Sequence, residues 1–347
     1  MTIIYFILIL GITVFIHELG HFICAKKSGI YVYEFSLGMG PLIKTWKRKN
    51  DETNYSIRLF PIGGYVSMAG ESVEDDANIP NNKKMQNKTW LQRFATIIAG
   101  ITMNFILALL IFFIVGLVNG SPQNNAYIKY LDEDLPAYNS GLQVDDEVVK
   151  LNGKKINSDM LLLKLMINED KVIRLTVKHK DGNYDNVIIT PKKVTEDKKD
   201  TYKFGFGMYT KTKKGFIEAV KYAFTKFWSL IVQMASIIGY LFTGKLSLNN
   251  LSGPVGIYNV VGETAKTGFI NLLFLLGYIS LNVGFVNLLP IPAFDGGRLL
   301  FLIVEKIKGK PVSTKFENTV HTIGMMFLML LMVIITYNDI VRIFFGG

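Results

Sequence analysis

The hydrophobic residues of this chain gather into four long runs, at residues 3–25, 94–118, 269–294 and 320–337, separated by polar stretches. Crossing the roughly 30 Å core of a bilayer takes about 20 apolar residues at about 1.5 Å each, so every run predicts a transmembrane helix. A fifth stretch, residues 227–244, is also uncharged, but it follows the amphipathic GFIEAVKYAFTKFW and includes Gln233, Ser236, Gly239 and Thr243. By length it could cross; by polarity it could lie in the interface.

The polar stretches give the orientation. Residues 26–93 carry Lys26, Lys27, Lys44, Lys47, Arg48, Lys49 and further basic residues, which the positive-inside rule assigns to the cytoplasm. The first run then enters from outside and the second returns. Inside this region NYSIRLFPIGGYVSMAGE is rich in β-formers around Pro61, Gly63 and Gly64, predicting a hairpin or loop against the membrane.

Residues 121–205 alternate like a small soluble α/β module on the outer side: a strand, a short helix near Pro136, a turn at 144–146 and a strand ending at Asn152-Gly153. A hairpin around Asp181-Gly182 follows. Residues 206–268 read as an amphipathic connection, residues 269–297 as the third span with its sequel, residues 298–319 as a cytoplasmic loop, and residues 320–343 as the fourth span.

Composition agrees with a membrane protein: half of the 347 residues are hydrophobic. The formal charge of +10 is spread over the polar segments without an aromatic-interleaved basic block, which argues against a nucleic-acid partner. One cysteine, Cys24, excludes an intramolecular disulfide and a thiolate zinc cluster. The N-terminus lacks the charged start and small-residue cleavage pattern of a removable signal peptide, so the first run is expected to be retained.

Chemistry enters at FIHELGHF, residues 15–22, at the end of the first run. His17 and His21, four residues apart, share one helix face with Glu18 beside them. In H-E-x-x-H two imidazoles bind zinc and the glutamate takes a proton from water. Unpaired ionisable groups in an apolar helix cost on the order of 3 kcal/mol each, so a partner is expected. Catalytic zinc needs a third protein ligand and an open position. His179 lies in the outer module and His321 opens the fourth run, whereas Asp295 in NLLPIPAFDGGR follows Pro290 and Pro292, which break the third helix. Capping of a helix starting at Gly296 is the other use for that aspartate.

Depth discriminates. His17 lies about 24 Å along the first helix, near the cytoplasmic side of the core. If residues 227–244 crossed, Asp295 would end at the outer face; if they stay outside, the third span runs inward and delivers Asp295 beside the histidines. Lys306, Lys308, Lys310 and Lys315 then also fall in the cytoplasm. The expectation is a polytopic α-helical membrane protein of four transmembrane helices with both termini outside, a membrane-associated cytoplasmic β-hairpin region and one extracytoplasmic domain.

HELGH and N-x-x-P-x-P-x-x-D-G, the latter at Asn287, Pro290, Pro292, Asp295, Gly296 and Gly297, resemble the two motifs of the site-2 protease family of intramembrane zinc metalloproteases. RLFPIGGYVSMAGE and LSGPVGI are similar to two further segments of its bacterial members. The resemblance implies that His17, His21 and Asp295 bind Zn2+, that Glu18 is the catalytic base, and that Asn287 helps hold the substrate. It implies that Gly63, Gly64 and Tyr65 belong to an element contacting substrate as an added strand, and that residues 121–205 are a PDZ-like domain. It further implies a multi-pass protein of the bacterial cell membrane. Its substrates would be single-span membrane proteins such as anti-sigma factors and remnant signal peptides, trimmed first by a site-1-type protease. The rival is a non-proteolytic metal-binding scaffold or transporter. Transport predicts more buried carboxylates or histidines along a path, and the second and third runs offer only Asn104, Asn271, Asn282 and Asn287.

Overall fold

The computed structural model describes residues 1–71, 76, 78–196, 199–247 and 251–344. It divides into two compact units, residues 1–111 with 248–347, and residues 112–247. Among the described residues five helices are long and apolar enough to cross a membrane, α1, α2, α4, α6 and α8 as defined below, α4 being the least apolar.

In the first unit, α1 (Thr2–Lys27) ends on Lys26 and Lys27, cations that complement the negative end of the helix dipole, and turns at Gly29 with φ +65°. The sheet that follows is built from two bent strands, β1 (Val32–Lys47) and β2 (Asn54–Met68). Both fold back on themselves, so residues 34–37 pair with 64–67 on one side and with 54–57 on the other, and 54–57 pair in turn with 44–47. Positive φ at Gly38, Gly40 and Gly63 makes the corners. Met39, Leu42, Ile43, Leu59 and Phe60 at those corners are exposed, and residues 64–68 form an outer edge. The inner face packs Phe35, Tyr55, Val66 and Met68 against Ala25, Ile97, Leu299 and Leu302.

Helix α2 (Trp90–Asn119) carries the chain into the second unit. There β3 (Ser121–Pro122), β4 (Ala126–Leu131), β5 (Glu147–Leu151), β6 (Lys154–Lys155), α3 (Ser158–Ile167), β7 (Ile173–Lys178), β8 (Tyr184–Ile189), β9 (Lys192–Glu196), β10 (Lys199–Lys203), β11 (Phe206–Tyr209) and β12 (Thr212–Lys213) precede α4 (Phe216–Phe242). The main sheet runs β11-β4-β5-β7-β8, with β6 on β5. Its core holds Ile128, Leu161, Ile173, Leu175, Val177 and Ile189. The stretch near Pro136 makes only a 3-10 turn, Tyr138–Ser140.

Back in the first unit, α5 (Pro254–Lys266) and α6 (Phe269–Leu288) bury Val261, Leu272, Leu275 and Ile279 against Ile9 of α1. Helix α6 stops at Leu288, six residues before the apolar run ends, because Pro290 and Pro292 cannot donate to the helix ladder. Two further helices follow, α7 (Asp295–Lys308) and α8 (Thr314–Phe344). Residues 298–308 are therefore helical where the sequence suggested a loop: Leu299 and Leu302, three apart, are buried on one face while Lys306 and Lys308 complement its C-terminus.

Candidate metal centre

Three donor atoms converge from two separated parts of the first unit. His17 Nε2 and His21 Nε2 stand 3.2 Å apart, and Asp295 Oδ2 lies 3.1 Å from each. Both histidines are buried and the Asp295 side chain is 20% exposed, enough for one open approach. Neighbouring ligands on a tetrahedral metal with bonds of ~2.0–2.1 Å lie about 3.3–3.4 Å apart, so this triangle matches a metal's coordination edge. Among the described residues these three are the group of histidines and carboxylates that could hold an ion. Asp295 is the first residue of α7, with Phe294 at the capping position and no side-chain cap; the carboxylate faces the imidazoles instead.

The outer nitrogens also fit. His21 Nδ1 donates to the carbonyl of Thr96 at 2.8 Å, leaving the Nε2 lone pair for a metal. Against His17 Nδ1, at 3.3 Å, lies the carboxamide of Asn104, whose other end, Oδ1, has no partner among the described residues. For His17 to ligate through Nε2 its Nδ1 must carry the proton, and a half-turn of the Asn104 carboxamide brings Oδ1 there to accept it. Asn104 is itself anchored, its backbone carbonyl accepting from Ser280 of α6 at 3.0 Å.

Small residues let these helices approach. A Cβ at Gly100, one turn before Asn104, would stand 2.3 Å from His21 Nε2, and one at Gly20 would stand 2.4 Å from the Ala99 carbonyl oxygen. Sequence reasoning used Asn104 only as the sign that no ion path exists, and passed over Gly100. The available signal was G-x-x-x-N, which sets both residues on one face of an otherwise apolar helix.

Glu18 is half-buried and makes no side-chain hydrogen bond among the described residues. Residues 63–65 pass close to it: a Cβ at Gly64 would lie 3.7 Å from Glu18 Cγ. The Tyr65 hydroxyl donates to Glu34 at 2.6 Å, so the ring and backbone of Tyr65 are what it offers to a ligand. Glu34 also pairs with Arg58 at 2.8 Å. Asn287 occupies the last turn of α6, half-buried and without a side-chain partner among the described residues. A groove of about 790 Å³ runs along Tyr65–Met68, past Ala293 and Arg298, to Met325 and Met329 of α8. Arg298 forms an ion pair with Glu71 in its wall.

The model of peptidase family M50 matches residues 5–331. The chain belongs to that family. It is 35% identical to the regulator of sigma-W protease RasP of Bacillus subtilis, over 99% of both chains. It is 34% identical to the zinc metalloprotease RasP of Bacillus licheniformis, over 99% of both, and 31% identical to that of Geobacillus kaustophilus, over 99% of this chain and 98% of the relative. The alignment with the Bacillus subtilis protein runs over 421 positions, so that relative carries insertions this chain lacks. Membership makes this M50 protein a zinc metalloprotease of the site-2 type, a multi-pass membrane enzyme, and the donor set above suits the zinc such enzymes require.

Proposed function

We propose that His17, His21 and Asp295 hold the catalytic zinc and that Glu18 is the general base for peptide-bond hydrolysis inside the membrane. The observation that carries this reading is the triangle of donor atoms at 3.1–3.2 Å, drawn from residues 274 apart in the chain. Zinc held by these residues would supply an acidified water, of pKa ~7, and would polarise the scissile carbonyl. Glu18, adjacent to His17 and without a side-chain hydrogen bond among the described residues, would accept a proton from attacking water and hand it to the leaving amine. The Thr96 backbone carbonyl at His21, and the Asn104 side-chain oxygen at His17 once its carboxamide is turned, would keep both imidazoles in the Nδ1–H form.

The substrate must arrive extended, because a helix hides its carbonyls. The edge at residues 64–68, unpaired on its outer side among the described residues, beside Glu18 and along the groove, supports binding as an added strand, with Gly63 and Gly64 allowing close approach and Tyr65 lining it. Asn287, without a side-chain partner among the described residues, would donate to the substrate backbone. Spans weakened by Gly, Asn or Pro would unwind at least cost, which suits remnant signal peptides and single-span anti-sigma factors. The Bacillus subtilis relative, named as regulator of sigma-W protease, points to the same class.

For topology, the second unit bears on α4. Asp159 of α3 accepts from Lys226 at 2.6 Å and from Ser229 at 2.8 Å, and its carbonyl accepts from Gln233 at 3.2 Å. Were α4 to cross, residues 226–233 would sit at mid-bilayer and drag an ionised carboxylate of the polar sheet domain with them. This supports α4 as an interfacial helix, four spans (α1, α2, α6 and α8), and both termini outside the cytoplasm. The exposed apolar corners of β1 and β2 suit a sheet dipping into the membrane. The β4–β11 module would be the PDZ-like outer domain, and it would exclude substrates until a site-1-type protease has trimmed them.

The test is cleavage of a trimmed single-span reporter by the purified protein and by Glu18→Gln, with bound zinc quantified in each. The expected result is cleavage by the wild type alone and equal zinc in both. Equal cleavage by both removes Glu18 from its role.

A further inference from the structure

Helix α8 carries a histidine that the chemistry above leaves unused. His321 Nδ1 accepts a hydrogen bond at 3.0 Å from the backbone N–H of Ala293, two residues before Asp295. Because Nδ1 accepts, the ring is neutral with its proton on Nε2. Its ring also lies against that of Phe301 in α7, with centres 5.9 Å apart and planes tilted by 49°, so the imidazole neighbours the chain on both sides of Asp295.

The loop it holds is one that needs holding. Pro290 and Pro292 lack N–H groups, and Ala293 sits at φ +83°, a left-handed conformation that a residue with a Cβ adopts at a cost of about 1–3 kcal/mol unless its surroundings impose it. Internal bonds from Ile291 N to Leu289 O and from Phe294 N to Ile291 O shape the rest of the turn. The Ala293 N–H, by contrast, is met by another helix. Independently, the α8 backbone presses on the preceding residue: a Cβ at Gly324 would fall 2.5 Å from Pro292 Cβ and 2.7 Å from its carbonyl oxygen. Thus α8 grips consecutive loop residues, by a hydrogen bond at Ala293 and by backbone contact at Pro292.

We infer that His321 is a positioning residue for the metal centre: it fixes the Ala293 turn, and through it the Asp295 carboxylate, against His17 and His21. This rests on the reading of Asp295 as a zinc ligand. The role needs an acceptor at the Nδ1 position and does not need a titrating or metal-binding group, which separates it from the ligands themselves.

The experiment measures zinc affinity of the purified full-length protein in detergent by competition with a chromophoric chelator, and thermal unfolding of the zinc-free form. His321→Leu removes the acceptor at similar bulk, His321→Asn returns one because its Oδ1, bonded to Cγ, overlays Nδ1, Gly324→Ala pushes α8 from Pro292 without touching the ring, and Asp295→Ala removes the proposed ligand. Support for a ligand is usually worth 10–100-fold in metal affinity. The expected result is a loss in that range for His321→Leu and for Gly324→Ala, substantial recovery in His321→Asn, and zinc-free unfolding of His321→Asn and His321→Leu at matching temperatures. Wild-type affinity in His321→Leu, or equal losses in Leu and Asn, overturns the inference. If His321→Leu does not fold, wild-type affinity in Gly324→Ala, or a loss in His321→Asn as large as in Asp295→Ala, overturns it. Retention of zinc by Asp295→Ala would overturn the ligand reading itself, and this inference with it.

Discussion

Replacing Gly100 by alanine should strip the zinc while leaving α2 helical. By intrinsic propensity the change favours the helix by about 1 kcal/mol. The new Cβ, however, would lie 2.3 Å from His21 Nε2, 2.8 Å from its Cδ2 and 2.9 Å from His17 Cε1. Ordinary van der Waals contact starts near 3.4 Å, so His21 must retreat by roughly 1 Å, several times the ~0.2 Å that a metal–ligand distance tolerates. It has little freedom to do so, since its Nδ1 is tied to Thr96 on the same helix, one turn earlier.

Overpacking of this kind costs ~1–3 kcal/mol, which offsets the propensity gain and leaves the protein destabilised by at most about 2 kcal/mol, folded but with a displaced ligand. Zinc affinity should drop by about 100-fold or more, beyond what loss of a supporting contact produces. The assay is chelator competition on purified protein, with thermal unfolding of the zinc-free form alongside. Gly239→Ala is the comparator: it lies inside α4 with nothing within 4 Å of the built Cβ, so it should gain up to about 1 kcal/mol and keep zinc affinity unchanged. Wild-type zinc affinity in Gly100→Ala would refute the close approach of α2 to the two imidazoles.

Two predictions concern the second unit. His179 Nδ1 donates to the buried carboxylate of Asp146 at 2.7 Å, a bond that raises the histidine's pKa above its ordinary value although desolvation opposes it. A raised folded pKa means the pairing contributes fully below the unfolded value of ~6.5 and is lost as pH rises through the folded one. Hydrogen exchange in β4, β5 and β7, corrected for intrinsic rates, should therefore show falling stability above pH ~6.5 in the wild type. His179→Gln should be less stable at low pH and flat across that range; an unchanged slope in His179→Gln would count against the pairing. Asp159→Ala removes the acceptor of Lys226 and Ser229, charge-assisted bonds worth about 1.5–3 kcal/mol, and should expose α4 to limited proteolysis near residues 226–233. Unchanged cleavage there would separate α4 from α3.

Local spacing was readable from the sequence; contacts between distant segments were not. His17 and His21 share a face because four residues make about one helical turn, and the spans follow from length and hydropathy. The turns at Asn152-Gly153 and Asp181-Gly182 followed from dipeptides that tolerate positive φ, and they carry it at Asn152, Gly153 and Gly182. By contrast, α7 was hidden behind its lysines, and the start of α5 carries no cap of its own. Gly253 has no side chain to offer, and the Gly256 N–H is met at 2.7 Å by Asp339, buried 83 residues further on in α8.

The same reasoning explains why the sequence, which showed Asn104 and His321 as polar residues in apolar runs, did not show the parts proposed for them and for Gly100 around the metal centre. A ligand's identity is written in its own functional group, but its precision comes from neighbours on other helices. Those neighbours act through a carboxamide that can turn either way, a ring that accepts one backbone proton, or the absence of a side chain. None of these leaves a periodic trace. In a bundle with few polar groups the glycines bear the sharper information: Gly20, Gly100 and Gly324 mark where backbones or ligand rings come closer than a methyl group allows. The two contacts that bring α1 and its imidazoles onto α2, and the one that sets α8 on the Asp295 loop, are contacts of that kind. The geometry of the proposed zinc site is therefore set as much by what these positions lack as by the histidines and aspartate whose donor atoms converge there.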